Sequence, residues 1–579
     1  MATFSVVANT DPFMLSSEVQ ALSQVFASFL TLGQIVHMLP KQATARSALW
    51  VCILVSLVPY LANIFAIRNA KASVPPSFGH SQKHPVEALM HKGKADLERL
   101  LQTQSKNYTA ADREYRRRYG IEPPPGFKAW YEFAIANQSP IIDDFDTIFD
   151  AVSPFWTLSG SEVVKMMGGV QAIPNVDLWH CTFSGESGKT QCSHPQRTFD
   201  RHYELLFNTL LKDRRGVLPD VNFLVNHLDQ PRVLIPPKSL SKENSDWKGE
   251  LRVADMSRQP SWDIVMESCK SQQNDRGARA ESKVETFGLP FVTDRSSDMD
   301  LCRHPEYSGM YGLFMSPSSF GLIEGMAPIL STGSPSTMGD VLFPSPAYIE
   351  SEFVYDEAND IPWERKSNNL YWVGSTTGAF AIDDQWGKYH RQRFVKLAQN
   401  LERQEHYYLR EQGGVVSRVK SWFLNGRLFD VSFARIFQCE QRYCRDQRAF
   451  FKVKTWAHKD QALRSRLVFD LDGNGISGRY YKLLASNSVP LKQTLLREWH
   501  DERLVPWVHY IPVSQSMEEL PELIFYLTST EAGQQRAQEI AELGRDWFSK
   551  AFREVDMAVY TYRLLLEMAR LQDPERQAT

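Results

Sequence analysis

The stretch Leu467 to Val513, LVFDLDGNGISGRYYKLLASNSVPLKQTLLREWHDERLVPWVHYIPV, is where the fold class can be read. Leu467 to Leu471 is an apolar run with strand character. Asp472 to Gly478 is a glycine-rich turn. A helix is expected from near Arg479, with Tyr481, Leu483 and Leu484 on its apolar side, and a second strand from Val489 to Leu491. A glycine turn between a strand and a helix presents backbone N–H groups to a phosphate. Ser477 and Gly478 lie on that turn, and Arg479 would add a permanent cation beside the same anion. Glu498 follows the next strand, where nucleotide-binding folds place an acid on ribose hydroxyls. The layout is that of a nucleotide-sugar half-site.

A second strand and turn lie upstream, in NNLYWVGSTTGAFAIDDQWGKYHRQRFVKLA, Asn368 to Ala398. Tyr371 to Val373 is a strand, Gly374 to Gly378 a turn, and Tyr389 to Leu401 a helix. Ser375 could donate a hydroxyl to phosphate. Arg391 and Arg393 could bind a diphosphate or serve as surface ion-pair partners. Strands alternating with helices around two glycine turns indicate an α/β protein.

Further upstream, LPDVNFLVNHLDQPRV runs from Leu218 to Val233. Asp229 follows an apolar strand, at the sheet end where open α/β proteins place their chemistry. It can act as a general base, or simply form a turn ahead of Pro231. His227 points the same way if the segment is extended. It would be a reserve base or a wall of the acceptor site.

These blocks, with EYRRRYGIEPPPGFKAWYEFA at Glu114 to Ala134, resemble glycosyltransferase family 90, across roughly Glu114 to Val513. The nearer likeness is to the fungal capsule-associated xylosyltransferases, with the animal protein O-glucosyltransferases beside them. The resemblance implies a two-lobed GT-B fold, a UDP-sugar donor, inversion at the transferred sugar, and Asp229 as the catalytic base. It implies an arginine of the 391–393 region on the diphosphate. One departure stands at Val373, where an arginine is common between Trp and Gly. The nearness to the fungal branch suggests xylose and a glycan or glycoprotein acceptor. Protein O-glucosylation and a non-catalytic lumenal glycan-binding protein are the alternatives.

No metal ligand set stands out, although manganese on the diphosphate stays open. Asp470 and Asp472 form an Asp-x-Asp pair that a strand end and a turn also explain. Asp144 and Asp146 form another, read as a helix-capping or surface feature. GESGKT, Gly185 to Thr190, has Phe183 where a phosphate-binding loop needs glycine.

The N-terminus has membrane character. Ser47 to Ile67 carries no charge over about twenty residues, enough to span a bilayer. Val19 to Leu39 is a second apolar stretch. The first cations, Lys41 and Arg46, lie between the two and place that end in the cytosol. The body after Arg68 is then lumenal, in the Golgi or endoplasmic reticulum. Six of the seven cysteines follow the span, and proximity suggests sequential pairing: Cys181 with Cys192, Cys269 with Cys302, Cys439 with Cys444. Sequons at Asn107 and Asn137 agree mildly. A net charge of −3 gives no nucleic-acid signal.

The expected organisation is an anchor (1–70), a stem and helical region (71–175), an acceptor-side lobe with an insertion (176–365), and a donor-side lobe with C-terminal helices (366–579). Val86 to Gln104 has helical apolar spacing, either for packing or for a stalk that pairs with a second copy. Phe199 to Leu211 reads as a helix. Lys238 to Lys283 reads as a long, partly mobile insertion. Leu520 to Leu527 and Thr530 to Leu571 read as helices. Trp499, His500, Trp507, His509 and Tyr510 could line the sugar or the lobe junction, although most should be packing residues.

Overall fold

The computed structural model describes eight residues between Phe26 and His37, and residues 83–578 apart from 175, 199–200, 213, 236–250, 272–283, 413–414 and 455–456. Ser47 to Ile67 and most of Val19 to Leu39 lie outside the described residues. Among the described residues no helix is long and apolar enough to cross a membrane.

The protein is α/β, with two five-stranded sheets. The first is built from β1 (Leu178–Ser184), β2 (Lys189–Ser193), β3 (Val221–Asn226), β7 (Ile329–Ser331) and β8 (Val341–Leu342), in the order β2-β1-β3-β7-β8. β1 runs antiparallel to both neighbours, while β3, β7 and β8 are parallel. A small sheet beside it has the order β4 (Val233–Leu234), β6 (Gly321–Glu324), β5 (Arg252–Asp255). The second large sheet contains β9 (Ser367–Ser375), β12 (Phe429–Arg435), β13 (Ser465–Leu471), β14 (Val489–Gln493) and β15 (Ile511–Pro512), in the order β12-β9-β13-β14-β15. All of its pairings are parallel. A hairpin of β10 (His406–Gln412) and β11 (Val415–Ser421) is inserted between β9 and β12.

The strand order of the second sheet sets the position of the site. The chain leaves β9 to one side to make β12, then crosses to β9's other side to make β13. The crevice outside the carboxyl ends of β9 and β13 is therefore the topological switch point, where open parallel sheets bind ligands. Both glycine turns sit there. β13 is buried at every residue but Arg466, and β9 from Leu370 to Val373, as expected of parallel strands covered on both faces.

Each large sheet has its own core. Phe183, Phe207, Phe223 and Trp130 belong to the first, and Trp372, Phe394, Phe433 and Phe469 to the second. The last helix, Glu554–Leu571, crosses back to pack on β3 and on helix Phe127–Ala136. Trp130 donates to the Val559 carbonyl (2.9 Å) and Tyr560 to the Leu342 carbonyl (3.0 Å), so its polar tips are satisfied inside the core.

The expected single helix from Thr530 to Leu571 is two helices, Glu531–Ala551 and Glu554–Leu571. The break has a local cause. Arg553 is extended, and the Asp556 carboxylate accepts from its backbone N–H (3.0 Å), starting a new helix. The insertion is also more built-in than expected. Arg252–Asp255 pairs antiparallel with β6, and Val265 of a short helix is fully buried. Helix Pro85–Thr103 packs within its own chain, burying Val86, Leu89 and Met90. A Cβ on Gly93 would sit 2.8 Å from the Pro506 carbonyl. The packing reading of this helix therefore holds over a stalk for a second copy.

All three proposed cysteine pairs are present as disulfides. The first follows from β-pairing, because Cys181 and Cys192 face each other across the β1–β2 hairpin. GESGKT is the turn of that same hairpin. Alkylation of unreduced protein, followed by mass spectrometry, should leave these six cysteines unlabelled. Labelling of all six would contradict the pairing.

Candidate active site

The loop after β13 carries Asp472 to Gly478, and its own atoms hold its shape. The Gly473 N–H donates to the Gly475 carbonyl (2.8 Å). Among the described residues, no protein acceptor takes the N–H groups of Asn474 to Gly478. Backbone N–H groups left without a protein acceptor can serve an anion. The helix that follows, Tyr480–Leu484, is only five residues long. Its dipole is correspondingly small, so the turn N–H groups and a side-chain cation would have to attract an anion here.

That cation is Arg479. It is half-buried at the N-cap of the short helix, just before the first-turn position expected. One of its N–H groups donates to the Val373 carbonyl (2.6 Å), and its guanidinium lies 5.9 Å from the Trp372 ring centre. No other protein acceptor takes its remaining donors among the described residues. The cation missing from the sequence at position 373 is thus supplied, in space, to the main chain of that residue. Burial pulls the Arg479 pKa down and Asp470 pulls it back up. Arginine stays protonated under either influence.

Arg391 and Arg393 take different places from those expected. Arg391 is buried and stitches the two turns together. It donates to the carbonyls of Asp472 (2.7 Å), Ser375 (2.9 Å) and Leu471 (3.1 Å), and to the Thr377 hydroxyl (2.6 Å). Burial and the neighbouring Arg479 push its pKa down to about 9. Arg393 is held by the carbonyls of Met310, Gln515 and Ser516. Its donors fasten a loop and do not reach the turn. Ser375 stands at the end of β9, its hydroxyl 3.3 Å from that of Thr377. The Gly378 N–H donates to Asn474 Oδ1 (3.0 Å), joining the two turns directly.

Glu498 is fully buried and bonded to Lys492 (3.1 Å) and to the Tyr348 hydroxyl. Lys492 also holds Asp470 (3.1 Å), its register partner across β13 and β14. Burial raises the Glu498 carboxyl, and the two carboxylates raise the Lys492 ammonium against it. The Glu498 carboxylate is therefore committed to this triad and not to a ribose. Asp472 accepts from the Tyr311 hydroxyl and from the Leu495 N–H (3.3 Å), and burial pushes its pKa up to about 6. Each member of the Asp-x-Asp pair thus has its Oδ2 bonded inside the fold, while its Oδ1 is buried without a hydrogen-bond partner among the described residues. No group of three potential metal ligands occurs among the described residues.

The first sheet brings Asp229 to the same place. The loop after β3 is pinned by Asn226, which is buried. Its Oδ1 accepts from the Leu228 N–H (3.0 Å), and its Nδ2 donates to the Gln230 carbonyl (2.7 Å) and to Ser331 Oγ (3.1 Å). Asp340 continues the clamp by accepting from Ser331 and from the N–H groups of Arg232 and Val233. Asp229 itself is exposed, at the tip of the loop. Its main chain lies against the glycine turn: a Cβ built on Gly475 would meet the Asp229 carbonyl oxygen at 2.1 Å. His227 sits beside it, with Nδ1 accepting from the Trp179 indole N–H (3.1 Å). That bond makes Nδ1 the unprotonated nitrogen of a neutral imidazole.

Gly475 is therefore required by close approach. Gly475→Ala should force the Asp229 loop and the turn apart, at a cost of about 1–3 kcal/mol. The expected result is a lower melting temperature with sugar transfer lost beyond the loss of folded protein. An unchanged melting temperature and rate would show that the two loops are separated in solution.

The expected wall residues Trp499, His500, Trp507, His509 and Tyr510 are all buried. His500 and His509 are kept neutral by burial, each pushed down to about 3. A cavity of about 2010 Å³ lies apart from the glycine turns, between helix Pro85–Thr103 and the loops at 293–300 and 497–507. Asn226, Asn474, Thr377 and Lys492 went unnoticed in the sequence. Only Asn226 had a local signal, an Asx residue at the end of a strand.

Residues 346–578 match the family model for Glycosyl transferase family 90. That range includes both glycine turns, Arg391, Arg479 and Glu498, while Asp229 lies before it. The O-glucosyltransferase rumi of Drosophila pseudoobscura pseudoobscura is 36% identical over 85 residues, 14% of this chain. The chain spans about a fifth of the length of that curated relative. Over residues 346–578, about two fifths of its length, the chain is similar to glycosyl transferase family 90.

Proposed function

We propose that the protein is an inverting glycosyltransferase that moves a sugar, xylose in the first instance, from a UDP-sugar to a glycan acceptor. The observation that carries this reading is the convergence of the Asp229 loop on the glycine turn that leads into Arg479 in the second sheet. In this reading the two large sheets are the lobes of a GT-B arrangement. Asp229 takes the proton of the acceptor hydroxyl as its oxygen bonds to the anomeric carbon. The bond from that carbon to the β-phosphate oxygen breaks on the opposite face, inverting the centre. Arg479 and the turn N–H groups stabilise the charge that builds on the departing UDP. Arg391, Asn226 and Lys492 position these groups and need not touch substrate. The protein would be anchored in the Golgi or endoplasmic-reticulum membrane through Ser47 to Ile67, with its body in the lumen.

Protein O-glucosylation is the second reading, favoured by the name of the matched relative. A panel of UDP-sugars with the full-length chain separates them. Turnover of UDP-xylose with a glycan acceptor supports the first, and turnover of UDP-glucose with a folded protein acceptor the second. No turnover of any donor, with glycan binding retained, would make the protein a binding module and sink both.

A further inference from the structure

We propose that the face formed by residues 435–454 is a binding track for an acidic polysaccharide, one whose repeats carry carboxylate or sulfate groups. This rests on the glycosyl-transfer reading and names the acceptor class. The chain as a whole has a net charge of −3. Between Arg435 and Lys454 the balance reverses. Arg435, Arg442, Arg445, Arg448, Lys452 and Lys454 are all exposed, against only Glu440 and Asp446.

The segment is braced along its length. β12 ends at Arg435, and helix Gln441–Phe450 follows. The Cys439–Cys444 disulfide ties the start of that helix to the strand exit. Arg448 donates to the Ile436 carbonyl (3.2 Å), and the Lys454 N–H to the Phe433 carbonyl (2.9 Å), so the far end folds back along β12. Lys454 also pairs with Asp430, leaving the others to set the field.

The near end reaches the candidate site. The Thr376 N–H, on the β9 turn, donates to the Arg435 carbonyl (3.1 Å), and the Thr376 hydroxyl to the Phe437 carbonyl (2.6 Å). A polymer lying on the track would enter at the switch point. Four of the six cations are arginines, whose planar forks match carboxylate and sulfate oxygens in pairs. Phe450 and Val453 lie among them, 37% and 38% exposed, offering apolar surface to the C–H faces of sugar rings. A lipid surface fits less well. The strongly anionic leaflet is the cytoplasmic one, opposite to the side proposed for this body.

The test uses the full-length chain and its Arg442→Glu/Arg445→Glu variant, neither position being part of the donor or base machinery. Affinity electrophoresis in gels containing polygalacturonate or neutral dextran reads binding. The wild type should be retarded by polygalacturonate alone, and less so as salt screens the charges. The variant should lose about tenfold or more in affinity, with its melting temperature and its UDP-induced thermal shift unchanged. Equal retardation by dextran, or an unaffected variant, would overturn the proposal. So would retention by phosphatidylserine vesicles or single-stranded DNA in place of polygalacturonate. Polygalacturonate binding without UDP-sugar turnover would instead fail the transfer reading and leave the track standing.

Discussion

Asp229→Asn is expected to lower sugar transfer by about two to four orders of magnitude while leaving UDP binding nearly intact. Asparagine keeps the size of the side chain and its capacity for a local turn bond. It cannot take a proton from an attacking hydroxyl. UDP binding should survive because the turn N–H groups and Arg479 belong to the other sheet, and because Asn226, not Asp229, holds the loop in shape. Asp229 is exposed and, among the described residues, makes no side-chain bond that shapes the loop, so the variant should melt near the parent temperature. Isothermal titration with UDP and single-turnover transfer kinetics separate the two effects. A purely structural Asp229 would show lower thermal stability, with activity scaled to folded protein. A folded, UDP-binding variant with near-parent transfer would remove Asp229 as the base. His227 would be next, although its bond from Trp179 leaves Nε2 carrying the proton in the neutral ring, a poor starting point for a base.

What could be read from the sequence was local. The strand, turn and helix at 465–484 and at 367–398 show up because apolar runs and glycines act within a few residues of themselves. The disulfides were readable because each pairs neighbours in sequence. The break at Phe552–Arg553 was not, since Asp556 looks like an ordinary helical acid until its cap bond is seen. Side-chain destinations over long range were the main loss. Arg391 and Arg393 sit on a helix that could have faced a ligand, but the fold left carbonyls of 471–472 and 515–516 pointing at them. Burial then committed both guanidiniums to backbone. Glu498 went to Lys492 for the same reason: a lysine buried in β14 needs carboxylates within reach. Asp229 and Gly475 lie nearly 250 residues apart in sequence. Only the tertiary fold brings them into contact.

Arg479→Ala should lower kcat/KM for the UDP-sugar by about 10- to 150-fold, the value of a charge-assisted contact of about 1.5–3 kcal/mol. Part of that contact strengthens only as charge builds on the leaving diphosphate, so kcat should fall as well as affinity. The substitution also strips the Val373 carbonyl of its donor. An unsatisfied acceptor costs about 1–3 kcal/mol, so a lower melting temperature is expected and must be separated from the catalytic loss. Arg479→Lys does this. A lysine keeps the charge but not the fork, and so cannot serve Val373 and a phosphate oxygen together with the same geometry. If Arg479 acts on the diphosphate, the lysine variant should recover part of the UDP affinity lost in the alanine variant. If Arg479 serves only to hold Val373, both variants should lose stability alike, and kcat per folded molecule should stay at the parent value. The latter outcome would leave only the turn N–H groups for the anion. The transferase would then lack a cation to offset the charge on departing UDP, and the proposed chemistry would need another source for it.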